Sequence, residues 1–312
     1  MKIVFMGTPE FAVPALESII EAGHEVLLVV TQPDKKGNRN KIIPSPVKVF
    51  AETKGLKVSQ PNRIRKDEEF IESLKQLSPD MIVVAAFGQI LPQTVLDIPK
   101  YGCINVHGSL LPDLRGASPM QTAVKLGYKY TGVTIMKMDA GLDTGDMIDK
   151  VTVNIESKDI FEVSNLLAKA GADLLIASMQ RIESGSAVYE KQDDSQSTHC
   201  GMISKIDGLT DFNENAASIE CKIRAYAEWP NVYTYLDGIQ VKIFKAQAVF
   251  DDNNGEFGVI SSVDKNSFTV NCAEGKLKIL ELQMQGKKKM SAGDFMRGHK
   301  LEIGNKFECK IG

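Results

Sequence analysis

The sequence lacks the features that would assign it to the simplest functional classes. Its five cysteines are scattered, and none of them forms a Cys-x-x-Cys pair or joins a histidine at zinc-ligand spacing. We therefore expect reduced, buried thiols in a cytoplasmic protein. The formal net charge is only −3, so a contact with a polyanion would have to come from local basic patches.

Long apolar runs and common nucleotide-binding motifs are also missing. No apolar run approaches the length of a transmembrane helix, and no small-residue cleavage site follows the short apolar run at the start. The first turn reads MGTPEF rather than Gly-x-Gly-x-x-Gly, and there is no P-loop or Gly-x-Ser-x-Gly elbow. The sequence therefore predicts neither a membrane protein nor these nucleotide-binding and hydrolase sites.

The first half of the chain alternates short apolar runs with helical patterns. Runs such as KIVFMG and MIVVAAF contain almost no polar residue, which is typical of parallel strands covered on both faces. The helical patterns between them end at turn residues such as Gly23 and Gly55. We predict an α/β fold with a doubly wound, mostly parallel sheet, whose ligands bind beyond the carboxyl ends of the strands.

The second half has a different pattern. A long helix is predicted near 159–185, and the polar, irregular segment after it is interpreted as a linker. Short alternating strands separated by hairpin dipeptides such as Asp237-Gly238 then predict a small β-barrel of the oligonucleotide-binding (OB) type. The predicted ranges are 1–188 for the catalytic domain, 189–204 for the linker and 205–312 for the barrel.

An amide and an imidazole stand two residues apart at the end of the predicted strand CINVHG. Asn105 and His107 share one face of the strand and lie roughly 7 Å apart, so both can hydrogen-bond to one small reacting group. Cys103 is roughly 13 Å from His107, too far for the imidazole to deprotonate the thiol, and is interpreted as a core residue. A structural role for the histidine stays open at this point.

The loop MDAGLDTGDM follows another predicted strand and supplies carboxylates. It holds Asp139, Asp143 and Asp146 among glycines, which let the backbone approach a ligand closely. One of these carboxylates can face His107, orient its ring and favour its charged form. A purely structural turn is an alternative, and a metal site would need a cluster of further oxygen ligands that the sequence does not show.

The two motifs together, CINVHGSLLPDLRGASP and GVTIMKMDAGLDTGDM, resemble those of the folate-dependent formyltransferases. The resemblance extends over nearly the whole chain, through MGTPEFA, TQPD, PSPVK, AAFGQILP and LQMQGKKKMSAGDF. It implies a Rossmann-like formyltransferase domain with Asn105, His107 and Asp143 as the catalytic residues. The formyl donor would be 10-formyltetrahydrofolate, the acceptor would be the α-amino group of methionine esterified to initiator tRNA, and no metal would take part.

The implied chemistry suits these side chains. Formyl transfer to an amine passes through a tetrahedral carbon with a developing oxyanion, which Asn105 and a protonated His107 can hydrogen-bond. His107, Asp143 or a bound water can move the proton from the attacking nitrogen to N10 of the folate. No covalent enzyme intermediate is needed, in agreement with the lack of a placed nucleophile.

The resemblance also implies which residues bind the substrates, and we expect a monomer. The residues expected to bind the folate are Phe87, Gly88, Gln89, Ile90, Leu91, Ser109, Leu110, Leu111, Pro112 and Asp139. The residues expected to bind tRNA phosphates, from the basic runs QPDKKGNRNKIIPSPVK and GKKKM, are Lys35, Lys36, Arg39, Lys41, Lys287, Lys288 and Lys289. The first run resembles the insertion that family members use to hold the acceptor arm, although Arg39 here stands between two asparagines.

Other interpretations remain open from the sequence. Formyltransferases of sugar-nucleotide amines share this catalytic domain and often a similar barrel, and the basic loop at 35–41 argues against them. Glycinamide ribonucleotide formyltransferases lack the C-terminal domain. A catalytically idle RNA-binding protein would not need Asn105, His107 and Asp143 to be intact.

Overall fold

The computed structural model describes residues 1–36, 42–251 and 255–309, and its backbone forms two compact units. The first unit contains Met1–Pro119, Tyr130–Asn154 and Ser164–Gly201. The second unit contains Met120–Lys129, Ile155–Val163 and the chain from Met202 onward. The domain boundaries predicted at 188 and 204 stay predictions.

The first unit is built on a seven-stranded sheet with helices between its strands. Its strands are β1 (Lys2–Gly7), β2 (Glu25–Val30), β3 (Lys35–Lys36), β4 (Ile42–Ile43), β5 (Val58–Ser59), β6 (Met81–Ala85), β7 (Cys103–His107), β8 (Arg115–Gly116), β9 (Tyr130–Lys137), β10 (Met147–Asn154) and β11 (His199–Cys200). The main sheet has the order β10-β9-β7-β6-β1-β2-β5, while β3 pairs with β4 and β8 with β11.

The direction of the strands confirms the predicted fold class. Strands β7, β6, β1, β2 and β5 run parallel to one another, whereas β9 is antiparallel to both of its neighbours, β7 and the edge strand β10. Every residue of β6 is buried, as the unbroken apolar run indicated. The chain order reverses on either side of β1, so a crevice is expected beyond the carboxyl ends of β1 and β6.

The sequence analysis assigned no strand to Met147–Asn154, and this segment is β10. Its side chains alternate between the covered and the exposed face of the sheet, since it lies at the edge and pairs with β9 alone in that sheet. An edge strand of this kind has no continuous apolar run. The pattern used to find the other strands therefore does not detect it.

Apart from the short α4, for which no helix was predicted, the helices begin and end close to the predicted positions. They are α1 (Val13–Glu21), α2 (Pro46–Thr53), α3 (Glu68–Leu77), α4 (Gln93–Leu96), α5 (Pro119–Lys125) and α6 (Ile160–Ser184). The side chains of Ser45 and Asp67 cap α2 and α3 by accepting backbone hydrogen bonds from Lys48 and Phe70, at 3.3 and 3.0 Å. Within the described residues, no helix has the length and apolar character needed to cross a membrane.

From Met202 onward, the described part of the second unit forms an antiparallel β-barrel accompanied by helices. Its elements are α7 (Ala216–Ala225), β12 (Val232–Leu236), β13 (Ile239–Val249), β14 (Ile260–Val263), β15 (Phe268–Asn271), β16 (Lys276–Met284), β17 (Met290–Ser291), α8 (Ala292–Gly298) and β18 (Phe307–Glu308). The strand order is β14-β15-β16-β13-β12-β18. The backbone N–H of Phe307 donates to Gly258 and that of Ile260 to Asn305, both at 2.8 Å, which joins the two ends of the sheet. The predicted small β-barrel is confirmed.

Gly132 of β9 lies where the sheet leaves no room for a side chain. A Cβ there would lie 2.0 Å from the carbonyl oxygen of Val151 on β10 and 2.5 Å from Cδ2 of Leu110. We expect Gly132→Ala to lower the free energy of unfolding by about 1–3 kcal/mol, because the β10 backbone cannot move without disturbing its pairing with β9. Urea unfolding measures the change. Gly201→Ala is the control, since a Cβ there meets nothing within 4 Å, and equal effects of both changes would contradict the expectation.

Candidate active site

Strand β7 places Asn105 and His107 on one face at its carboxyl end. Asn105 lies opposite Val84 of β6 and Met136 of β9, and His107 lies opposite Thr134 of β9. His107 is buried, with 5% of its surface exposed, whereas Asn105 is only partly buried. The strand therefore holds an imidazole in a protected position, beside an amide that is more open to solvent.

The loop after β9 brings a carboxylate to both side chains. Oδ1 of Asp143 lies 3.5 Å from Nδ2 of Asn105 and 3.7 Å from Nδ1 of His107. Oδ2 accepts a hydrogen bond of 2.9 Å from the backbone N–H of Gly116, which fixes the rotation of the carboxylate. The three side chains singled out in the sequence thus meet around one oxygen atom. The two longer distances are loose contacts, so neither side chain is tightly bonded to the carboxylate.

Glycines allow the backbone to approach this closely. A Cβ at Gly145 would lie 1.8 Å from the carbonyl oxygen of Lys137, so the loop can fold back on the end of β9 only without a side chain there. Gly116 has a φ of +115°, and a Cβ would lie 2.2 Å from the carbonyl oxygen of Cys200. Asp143 itself has a φ of +55°, an uncommon backbone conformation that is often found at functional sites.

A hydrogen bond on the opposite edge of the ring sets the tautomer of His107. Nε2 lies 3.1 Å from the carbonyl oxygen of Leu114, which can only accept, so Nε2 carries a proton. In the neutral ring Nδ1 is then unprotonated, and this is the nitrogen that faces Asp143. The backbone N–H of Leu114 in turn donates to Oγ1 of Thr198 at 2.8 Å. A neutral His107 can therefore accept a proton at Nδ1.

Burial dominates the electrostatics of the imidazole. Loss of hydration lowers the pKa of His107 below its ordinary value of 6.5, and the charge of Asp143 and the bond to the Leu114 carbonyl offset only part of this effect. Asp143 thus favours the charged form of the ring, as expected, but burial outweighs its effect. At neutral pH the ring is neutral, the form that acts as a base.

Arg115 and Gln192 also belong to the site, and the sequence analysis assigned neither of them a role. Arg115 is 3% exposed, and its guanidinium donates to Oε1 of Gln192 at 2.9 Å and to Asp194 at 2.8 Å. Nε2 of Gln192 donates to the carbonyl oxygens of Asp143 and Gly145, both at 2.8 Å. A glutamine in a polar stretch carries no signal in the sequence for partners so far away along the chain.

Two of the residues predicted to bind the folate, Phe87 and Gln89, anchor the loop after β6. Phe87 is buried, and its carbonyl oxygen accepts a hydrogen bond of 3.0 Å from Nε2 of Gln32. The amide of Gln89 donates to the carbonyl of Pro61 at 3.0 Å and accepts from the N–H of Ile64 at 2.9 Å. The side chain of Gln89 is thus engaged with the protein backbone.

The other residues of that loop differ in exposure. Gly88 is exposed with a φ of +79°, Ile90 is 67% exposed and Leu91 is buried. An exposed turn of backbone beside an apolar side chain suits a planar ring whose edge carries hydrogen-bond donors and acceptors. The assignment of these residues to the folate stays a prediction.

The segment after β7 is anchored on Thr134. Its hydroxyl donates to the carbonyl of Ser109 at 2.7 Å and accepts from the N–H of Leu111 at 3.0 Å. The side chains of Ser109 and Leu111 are buried, while Leu110 and Pro112 are partly exposed. These four residues lie next to the end of β7 in the chain, and their predicted contact with the folate stays a prediction.

Asp139 stabilises the turn that carries Asp143. Its Oδ1 accepts hydrogen bonds from the N–H of Gly141 at 3.0 Å and from Oγ1 of Thr144 at 2.7 Å. Its predicted contact with the folate stays a prediction.

In the part of the chain that the structure describes, no group of three or more His, Cys, Asp or Glu side chains is arranged to hold a metal ion.

The first basic run predicted to bind tRNA is only partly described. Lys35 and Lys36 form β3, which pairs with β4 as a short antiparallel ladder. Arg39 and Lys41 lie outside the described residues. The contribution of this run to substrate binding stays a prediction.

The second basic run belongs to the barrel unit. Lys287 and Lys288 are exposed. Nζ of Lys289 lies 2.5 Å from the carboxylate of Glu281 and 5.1 Å from the centre of the Phe244 ring. Part of the positive charge of Lys289 is therefore balanced within the unit.

Both units match sequence models of one protein family. Residues 1–179 match the model described as formyl transferase, and residues 202–300 match the model described as formyl transferase, C-terminal domain. The chain belongs to the formyl transferase family. This assignment agrees with the meeting of Asn105, His107 and Asp143, and it confirms the family resemblance seen in the sequence motifs.

Curated relatives resemble this formyl transferase along its full length. The methionyl-tRNA formyltransferase of Lachnospira eligens is 48% identical over 97% of this chain and 98% of its own. That of Citrifermentans bemidjiense is 47% identical over 97% of this chain and 95% of its own. Among solved structures, the N-formyltransferase of Helicobacter canadensis, in complex with folinic acid and dTDP-3-aminofucose, has a TM-score of 0.67 at 19% identity, and covers 93% of this chain and 100% of its own. That structure shares the fold.

The contact between Asp143 and His107 should be visible in the pH dependence of formyl transfer. If His107 acts as a base, we expect transfer to fall at low pH as its ring becomes protonated. Asp143 raises the pKa of His107 against the larger effect of burial. We therefore expect Asp143→Asn to move the acidic limb of the kcat/KM profile to lower pH and to slow transfer by about 10²–10⁴-fold.

Asp146→Asn is the matched control in the same loop. The backbone carbonyl of Asp146, which this change preserves, accepts a hydrogen bond of 2.9 Å from Lys137. We expect the profile of this variant to overlay that of the unaltered protein. If the acidic limb of Asp143→Asn stays at the same pH or moves to higher pH, Asp143 does not raise the pKa of His107.

Proposed function

We propose that the chain is a methionyl-tRNA formyltransferase, which transfers the formyl group of 10-formyltetrahydrofolate to the α-amino group of methionine on initiator tRNA. The observation that carries this proposal is an identity of 42–48% to curated relatives of that name over nearly the whole chain, both domains included. The geometry of Asn105, His107 and Asp143 supports it, because it provides a hydrogen-bond donor, a base and a counter-charge around one small volume.

The loop after β6 supports a folate as the formyl donor. Ala86 and Gly88 have φ values of +46° and +79°, which turn the backbone sharply at the carboxyl end of a central strand. Exposed apolar side chains follow β6 and β9, Ile90 at 67% and Leu142 at 59% exposure. A pterin needs this combination of backbone polar groups and apolar contact. The bound folate supplies the one-carbon unit.

Asn105 is placed to stabilise the charge that develops on the formyl oxygen. Its Nδ2 donates only a long bond of 3.5 Å to Asp143, so the amide can turn toward a stronger acceptor. A donor in this role is worth roughly 3 kcal/mol in the transition state.

His107 then moves the proton. Nδ1 of the neutral ring takes the proton that the attacking amine releases as its new bond to the formyl carbon forms. Asp143 stabilises the resulting imidazolium across the 3.7 Å separation. The same proton passes to N10 of the folate as the bond between N10 and the formyl carbon breaks. One bond forms, one breaks, and His107 returns to its neutral form.

The acceptor is tRNA, and the exposed Lys287 and Lys288 of the second unit contact its phosphates. The basic run at 35–41 is assigned the same kind of contact. We also propose that the reaction takes place in the cytoplasm and that the enzyme is a monomer. Light scattering of the purified protein measures its oligomeric state. Binding of a polyanion through lysines should weaken as salt rises.

The decisive experiment offers two acceptors in parallel. Purified protein and 10-formyltetrahydrofolate are mixed either with methionyl-initiator tRNA or with an amino-sugar nucleotide, and the formylated product is quantified. We expect transfer to the charged tRNA alone. Transfer to the amino sugar alone would replace the proposed acceptor, and transfer to neither would refute the proposed reaction.

The exposed lysines can be tested by charge reversal. We expect Lys287→Glu with Lys288→Glu to raise the KM for charged tRNA, to leave the KM for folate unchanged, and to flatten the salt dependence of tRNA binding by roughly one unit of log–log slope per lost contact. The matched control reverses Lys265 and Lys300, which are exposed on the same unit. Equal effects of both pairs, or none, would exclude a specific contact by Lys287 and Lys288.

A further inference from the structure

Residues 190–201 join the first unit as a structural part of its site. Glu190 and Met147 exchange two backbone hydrogen bonds of 2.8 Å, and β11 pairs in parallel with β8. Most side chains of this segment are exposed, but Gln192 is partly buried. Its amide is the group of the segment that reaches the loop carrying Asp143.

The amide of Gln192 makes three hydrogen bonds of fixed polarity. Its two Nε2 protons go to the carbonyl oxygens of Asp143 and Gly145, each at 2.8 Å, so they hold the backbone on either side of Thr144. Its Oε1 accepts from Nε of Arg115 at 2.9 Å. Among side chains of this length, the glutamine amide is the one that can donate two hydrogen bonds at one end and accept a third at the other.

Arg115 fixes the orientation of that amide. Its guanidinium is buried and also bonds Asp194 at 2.8 Å, so the charge is paired at the edge of the site. Because Nε of Arg115 can only donate, Gln192 must present its oxygen to Arg115 and its nitrogen to the loop. Hydrogen bonds are therefore donated in one direction, from Arg115 to Gln192 and from Gln192 to the backbone of the loop that carries Asp143.

The same segment also holds the other partner of His107. Oγ1 of Thr198 accepts from the N–H of Leu114 at 2.8 Å, and the N–H of Arg115 donates to the carbonyl of Thr198 at 2.9 Å. The carbonyl of Leu114 is the acceptor for Nε2 of His107. Residues 190–201 thus hold the two backbone segments that carry the groups facing Nε2 and Nδ1 of the imidazole.

We propose that Gln192 is a positioning residue of the active site, which sets the carboxylate of Asp143 against Nδ1 of His107 and Nδ2 of Asn105. The inference rests on the proposed function, since it assigns a role in the same reaction. Gln192 itself does not contact the reacting atoms. The contacts it controls are already 3.5–3.7 Å long, so a further shift of about 1 Å would lower turnover by roughly 10²-fold.

Two substitutions separate the role of the Nε2 donors from that of Oε1. Gln192→Glu keeps an acceptor for Arg115 but turns an oxygen toward the carbonyls of Asp143 and Gly145, which repels them. Gln192→Met keeps the length of the side chain and removes all three bonds without adding charge. We expect both variants to lose roughly 10–100-fold in kcat, with the KM values for folate and tRNA unchanged.

The state of His107 gives a readout that does not depend on the substrates. The chain has four histidines, so the ring ¹⁵N signals of His107 can be followed through a pH titration by NMR. Asp143 is the acidic side chain facing Nδ1, while the guanidinium of Arg115 is directed to Gln192 and Asp194. In Gln192→Met the carboxylate retreats, and we expect the pKa of His107 to fall further.

Gln196 supplies the matched control. It lies four residues away in the same segment, is exposed, and contacts Oγ of Ser195 at 3.5 Å. We expect Gln196→Glu and Gln196→Met to leave kcat and the titration of His107 unchanged. Equal losses in the Gln192 and Gln196 variants would mean that the segment as a whole is sensitive, and would contradict a specific role for Gln192.

The remaining outcomes also decide the inference. If Gln192→Met keeps kcat and the pKa of His107 while the unaltered protein formylates charged tRNA, Gln192 is not a positioning residue and the proposed function stands. If the unaltered protein transfers no formyl group, the function fails, and the NMR titration still tests the geometry. If both Gln192 variants lose cooperative thermal unfolding, the residue supports the fold and the inference is wrong.

Discussion

The site depends on the burial of one imidazole between two oxygen acceptors. Removing His107 from water favours its neutral form, and the Leu114 carbonyl decides that the remaining proton sits on Nε2. The free nitrogen then points to Asp143, at a distance where the carboxylate stabilises a charge on the ring without holding a proton beforehand. An exposed histidine would have neither this fixed tautomer nor this preference for the neutral state.

Close approach of the backbone makes that arrangement possible. The carboxylate of Asp143 is anchored by the N–H of Gly116, and the turn that presents it folds back on the end of β9 at Gly145. Side chains at these glycines would collide with backbone oxygens, which cannot rotate away. The geometry of the site is thus held by the main chain, and Gln192 adds a side chain that bonds to the same turn.

Much of the fold and part of the site could be predicted from local patterns. Buried parallel strands are recognisable because both faces are covered, whereas β10 at the edge alternates in exposure and was missed. Asn105 and His107 are neighbours on one strand, so their shared face follows from the period of the chain. The direction of the pKa shift of His107 could not be predicted from the sequence, because it depends on the balance between burial and a nearby charge. Only the coordinates give both effects.

The amino-acid sequence by itself determined the α/β class, the barrel that follows it, and the motif residues that mark the formyl transferase family. These features are encoded in the spacing of residues close together in the chain. Tertiary structure decided that Asp143 lies against His107. It also decided that Gln192, from the predicted linker, and Arg115, from the family motif, support the same turn. Such contacts join residues far apart in the chain, and a polar side chain does not encode which distant backbone carbonyl it will reach.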